Sequence, residues 1–172
     1  MKNQCGFTIV ELILVIVILS ILAVATVPLF INITTKSRVA MLEAVGGALQ
    51  SASSLYSGYA ELKGVKTGYI TINGNSVQFN SSYPEGHWNN CWRYILNVTT
   101  APQYTPKTAK CEDNALCGVG NQTTIPSVPG LSGGRGIIIW PKGYYISDDC
   151  FTYYYNPHNG NVPVTGVVDS GC

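Results

Sequence analysis

Residues Leu12 to Ile31 form a run of 20 residues without a charge, and the next charge after Glu11 is Lys36. At about 1.5 Å per residue this run matches a hydrocarbon core of roughly 30 Å. A cleaved secretory signal has a shorter apolar region closed by a small-residue site. No such site closes this run, which passes through Pro28 into "LFINITTKSRVAMLEAVGGALQSASSLYSGYAEL". There Leu42, Val45, Leu49, Ala52, Tyr56 and Tyr59 fall at steps of three and four, one stripe on one helical face. The pattern predicts one long rod with a bend near Pro28. Residues 7 to 62 as helix would reach about 84 Å, too long for a compact domain of this size, so the rod projects.

Glu11 stands at the head of that rod. A lone carboxylate in lipid is costly, and such residues have a partner or a function. A snorkelling interfacial residue is the simpler alternative. Cys5, in "MKNQCG", precedes the apolar run, whereas a lipid-modified cysteine would follow it.

Apolar residues make up 46% of the chain and charged residues 11%, an imbalance that comes largely from the N-terminal segment. The formal net charge is +1 and there is no basic tract, so nucleic acid is not an expected partner. After Gly64 the pattern turns to strands. Tyr69 to Ile72 and Ser76 to Phe79 alternate around Asn73-Gly74, a hairpin signal. Gly136 to Trp140 reads as a buried strand that Pro141 ends or leaves at an edge. "CFTYYYN" reads as another, with Tyr153 and Tyr155 on one face and Tyr154 on the other, and "VPVTGVV" as the last. Residues 97 to 135, rich in Pro, Thr, Gly and Asn, are expected to be mostly loop. The fold class is thus α+β: a long N-terminal helix, transmembrane then amphipathic, packed on a C-terminal antiparallel sheet.

The string Gly6-Phe7-Thr8-Ile9-Val10-Glu11, followed by about twenty apolar residues, resembles the processing site of type IV prepilins and pseudopilins. The resemblance implies cleavage by a prepilin peptidase between Gly6 and Phe7 and methylation of the new amino group of Phe7. The apolar helix is retained. Glu11 then pairs with the N-terminal amine of a neighbouring subunit, which offsets its cost in lipid and favours one axial register. Pro28 matches a helix-softening proline of many pilins. The strings "VIVILSILAVATVPLFINI" and "SRVAMLEAVGGALQSASSLYSGYAELKG", with the closing "DDCFTYYYNPHNGNVPVTGVVDSGC", are most similar to mannose-sensitive haemagglutinin pilins. Leu29 stands where those usually have a basic residue and Ser20 where glycine is common, which leaves a minor-subunit role open.

The division that follows is a leader at 1–6, a transmembrane and polymerisation helix at 7–31, its amphipathic continuation at 32–62, and a disulfide-containing β-rich head at 63–172. The implied function is a structural pilus subunit used for surface attachment, with no enzymatic activity and no cofactor. Its implied partners are other pilin subunits, the peptidase, an inner-membrane assembly platform and, before assembly, membrane lipid. Its implied location is the inner membrane as a single-pass precursor, then an extracellular pilus of a Gram-negative bacterium. A pseudopilin of a type II secretion system and an anchored binding protein that never polymerises are the alternatives.

Beyond the leader, five cysteines remain: Cys91, Cys111, Cys117, Cys150 and Cys172. In an exported domain they are expected to form disulfides. The pilin resemblance implies Cys150 to Cys172, and proximity favours Cys111 to Cys117. Cys91 is then free, or replaces one partner of that pair. A zinc site from His87, Cys91, Cys111 and Cys117 has loose ligand spacing. Asp148-Asp149 supplies only part of the six to eight oxygens Ca²⁺ takes, and a solvated turn is the plainer reading. Neither His87 nor His158 lies in a nucleophile elbow or a His-Glu-x-x-His pattern, and no phosphate loop is present. Trp88 and Trp92 are candidate sugar-stacking residues, against the commoner role of aromatics in a core.

Overall fold

In a computed structural model, residues 8–172 are described, those at 25–32 by their helical backbone alone. The helix α1 spans Ile9–Leu62 and passes through position 28 without interruption. The chain divides into two units, residues 1–37 and 38–172.

In the first unit every large apolar side chain from Ile9 to Leu22 is at least 43% exposed. Ser20 sits among them with its hydroxyl donating to the Ile16 carbonyl at 2.6 Å, so its polar group is satisfied within the helix. Among the residues whose side chains are described, no helix is long and apolar enough to cross a membrane. That stretch of α1 ends at Val24, and its 16 residues rise about 24 Å, while the uncharged sequence continues to Ile31.

In the second unit, Leu42, Val45 and Leu49 of α1 are buried, as their spacing predicts. Beyond Ala52 and Tyr56 the buried face drifts, so that Ser53 and Ala60 are buried and Tyr59 is exposed. A 3.6-residue period moves the stripe away from Tyr59 toward Ala60. Two sheets complete the unit. The first is antiparallel, ordered β1 (Gly68–Ile72), β2 (Asn75–Asn80) and β3 (Tyr83–Pro84). Asn73 and Gly74 between β1 and β2 both have positive φ, 50° and 78°, the backbone of a type I′ turn.

The second sheet is ordered β4 (Gln103–Tyr104), β5 (Leu116–Gln122), β6 (Arg135–Pro141), β7 (Phe151–Asn156) and β8 (Val164–Val168). All its pairs are antiparallel except β4 with β5, which is parallel. Its strands β6 and β7 are buried on both faces. Ile137, Ile139 and Tyr154 join Val45, Leu49, Phe79 and Trp92 in one core, while Ile138, Trp140, Tyr153 and Tyr155 join Phe151 and Ile146 in the other. This explains why "GIIIW" is continuously apolar rather than alternating. Fully burying one such aliphatic or aromatic side chain is worth about 1.5–3 kcal/mol.

Residues 97–135 are mostly loop, as expected, but they also contain β5, a seven-residue strand that lies between β4 and β6 and that the composition does not reveal. Its glycines masked it. A Cβ at Gly118 would stand 2.9 Å from the Trp88 ring, and one at Gly120 would stand 2.1 Å from the Trp88 backbone nitrogen. Both positions exist for close approach, which is what interior strand glycines mark.

Candidate functional site

The described chain begins at Thr8, so Gly6 and Phe7 lie outside the described residues, as do Cys5 and the rest of the leader. Thr8 and Glu11 form a reciprocal cap on α1. The Thr8 backbone N–H and hydroxyl donate to Glu11 Oε2 at 2.9 and 2.8 Å, and the Glu11 N–H donates to Thr8 Oγ1 at 3.3 Å. Two donors that a helix start leaves without intrahelical partners are thereby satisfied, and the acid sits at the positive end of the helix dipole. The carboxylate heads a helix whose large apolar side chains are exposed. Exposed apolar surface on this scale marks a surface to be covered. Pro28 lies where only the helical backbone is described.

At the other end of the chain, Cys150 is bridged to Cys172 across a separation of 22 residues. The Cys172 carbonyl accepts from Arg38 Nη1 at 3.0 Å and from the Tyr144 hydroxyl at 3.2 Å. The Arg38 guanidinium also lies 5.0 Å from the Tyr144 ring centre. The last residue is thus fastened both to the start of β7 and to α1. A second bridge joins Cys111 to Cys117. That removes both from the zinc-ligand set, and Cys91 is free and fully buried. Burial pushes the Cys91 thiol well above its ordinary pKa.

Asp148 and Asp149 are engaged locally. Asp148 Oδ2 accepts the Tyr145 N–H at 2.8 Å, and Asp149 Oδ1 accepts the Ser127 hydroxyl at 2.5 Å. Asp149 itself occupies the left-handed region at φ 54°. The two acids close a turn, and no cluster of three or more metal-ligating side chains occurs among the described residues.

Trp88 and Trp92 are 4% and 0% exposed. Trp92 packs on Tyr154 with ring centres 4.4 Å apart, and Trp88 covers Gly118 and Gly120. They belong to the core, so neither offers the open ring face that sugar stacking requires. The segment that carries them, Trp88–Trp92, is a single π-helical turn followed by an α-turn at Arg93–Ile95. Its inward residues are Trp88, Cys91 and Trp92, and Asn89 and Asn90 face outward.

Glu85 is a residue that sequence reasoning missed. Only 4% exposed, it accepts the Gly86 N–H at 2.9 Å and meets His158 Nε2 at 2.7 Å. Beside it, Asn156 donates to the Asn80 and Pro84 carbonyls at 2.9 and 3.3 Å, and the Tyr154 hydroxyl donates to the Pro84 carbonyl at 2.7 Å. These contacts tie the first sheet to the second. Partners 73 residues apart leave no signal in a single sequence.

No curated protein and no solved structure matches the chain. Residues 1–27 match the family described as the prokaryotic N-terminal methylation motif, so the chain opens with the segment found on type IV pilin-like proteins and pseudopilins.

Proposed function

We propose that this chain is a type IV pilin-like structural subunit. A prepilin peptidase cuts it between Gly6 and Phe7 and methylates Phe7. It then polymerises through its N-terminal helix into a surface filament used for attachment. The observation that carries this reading is the capped Glu11 at the head of an apolar exposed helix, inside the matched motif. Before assembly the helix spans the inner membrane. In the filament the same apolar surface packs among the helices of other subunits, with water excluded in both settings. Cys150–Cys172 holds the end of the head in place, and the residue strings favour the mannose-sensitive haemagglutinin type among pili.

The test is intact-mass analysis of protein sheared from the cell surface, reduced and unreduced. Residues 7–172 plus one methyl group, with a four-hydrogen deficit before reduction, is the expected mass. Full-length chain confined to the membrane fraction would overturn the reading in favour of an anchored binding protein. Glu11→Ala should leave the chain in the membrane and abolish its appearance in the sheared fraction. A pseudopilin carries the same motif but acts within a secretion machine, so it would be absent from sheared filaments in wild-type cells.

A further inference from the structure

Two clefts in the head meet at the π-helical turn, with volumes of about 300 and 360 Å³. Both lie near the lower end of the ~300–1,000 Å³ range of small-molecule sites. Trp88, Asn89 and Tyr104 border both clefts, so the two are continuous along one surface. Tyr104 is 55% exposed and pairs in register with Gly118, the residue that Trp88 covers. An open aromatic face therefore stands beside a closed one.

The chemistry of the lining is one-sided. Arg93 lines the first cleft and Lys107 the second, and no aspartate or glutamate lines either. Carboxamides supply most of the other polar groups, Asn89 at the junction, Gln103 in the first cleft, and Asn121 and Gln122 in the second, beside His87 and the Tyr104 hydroxyl. Arg93 is held near this surface by Tyr94, its guanidinium 5.3 Å from the ring centre. Asn121 stands at a break in the β5–β6 register with φ 60°, and its N–H donates to the Gly86 carbonyl at 2.6 Å. Bulges of this kind re-aim side chains at sites. Trp92, which lines the first cleft, and His87, which lines the second, each carry a buried ring nitrogen without a hydrogen-bond partner among the described residues, Trp92 Nε1 and His87 Nδ1. A buried polar atom left unpaired is costly, and π-turns recur at functional sites.

We propose that the two clefts form one site for an anionic saccharide chain. Carboxamides pair with sugar hydroxyls, Tyr104 takes the face of one pyranose ring, and Arg93 and Lys107 take an acid group in each cleft. This rests on the attachment reading above and gives it a ligand class. It also moves the sugar contact from the buried tryptophans to Tyr104.

The experiment is calorimetric titration of the full chain in detergent micelles with tetragalacturonate, cellotetraose, a sulfated tetrasaccharide and tetraglutamate at one ionic strength. Tetragalacturonate or the sulfated sugar should bind, the preferred one naming the acid group, and the neutral sugar and the peptide should not. Arg93→Gln and Lys107→Gln should each weaken binding about tenfold or more, the worth of one charge-assisted hydrogen bond. Tyr104→Ala, at an exposed position, should do likewise. Circular dichroism of each variant should match that of the parent. No binding to either acidic sugar at millimolar concentration, equal binding of cellotetraose or tetraglutamate, or undiminished binding by all three variants would each overturn the proposal. Because binding is read in solution, its failure leaves the polymerisation reading standing. Failure of the sheared-filament test with binding intact would instead remove the filament and keep the site.

Discussion

Replacing both Cys150 and Cys172 by alanine should cost more than replacing both Cys111 and Cys117, and the difference follows from loop length. The bridges close sequence separations of 22 and 6 residues. With a loop entropy of about −2.1 − 1.5R ln n cal/mol/K, the longer bridge is worth about 3.4 kcal/mol at 25 °C and the shorter about 2.2 kcal/mol. Anchoring widens the gap, because a released Cys172 gives up its bonds from Arg38 and Tyr144. Each of those contributes about 1 kcal/mol net. The expected difference is therefore about 1–3 kcal/mol, which a chain of this size shows as roughly 2–10 °C in melting temperature. Tryptophan fluorescence during urea unfolding of the full chain in micelles reads it directly, since Trp88, Trp92 and Trp140 are all buried in the head. Cys91, free and buried, does not enter the comparison. Equal losses in the two double variants, or a smaller loss for Cys150/Cys172, would refute the loop-closure argument and the anchoring with it.

Gly120→Ala should destabilise the head by about 3 kcal/mol or more, because its Cβ would meet the Trp88 backbone rather than a flexible side-chain end; chemical denaturation reads the loss, and a change under about 1 kcal/mol would contradict the packing of β5. Asn156→Ala leaves the Asn80 and Pro84 carbonyls without that donor and should cost about 1–3 kcal/mol, read by the same assay. Burial raises the Cys91 and Tyr154 pKa values, so the folded state holds their protons more tightly than the unfolded chain. Their contribution is full below the unfolded values, about 8.5 and 10, and is lost as pH rises past them. Urea midpoints should fall above about pH 8.5, and Cys91→Ala should flatten the fall between about 8.5 and 10.

The elements legible in the sequence were those whose pattern is local. The Asn73-Gly74 hairpin has both positive-φ residues in adjacent positions, and the α1 stripe repeats within a few turns. Even there, a fixed alternation of threes and fours drifted off the true face by Tyr59. The strand β5 was hidden because its two glycines look like loop composition until Trp88 is placed upon them. The π-turn was hidden for a related reason: "HWNNCW" carries no helical period, and what fixes it is the burial of Trp88, Cys91 and Trp92. Reading those tryptophans as a sugar platform followed from their type. Their burial against Gly118 and Tyr154 is a tertiary fact, and so is the open face of Tyr104 next to them.

At Glu11 the cap geometry adds to what charge and position say about the residue. Thr8 followed three residues later by Glu11, before an apolar run, is a capping-box spelling that the sequence already contains. The cost of a lone carboxylate in lipid asks only for a partner or a function, and the pilin resemblance implies that the partner is an amine from another subunit. The cap supplies partners from its own chain, and both Thr8 donors end on a single oxygen, Oε2. Capping and assembly therefore need not compete. In the proposed filament an amine brought by a neighbouring subunit would meet a carboxylate whose Oε2 already holds Thr8, so the helix start would stay formed as the pair is made. A carboxylate already held by two short bonds has lost much of its rotamer freedom before the partner arrives, and preorganisation of this kind lowers the cost of association.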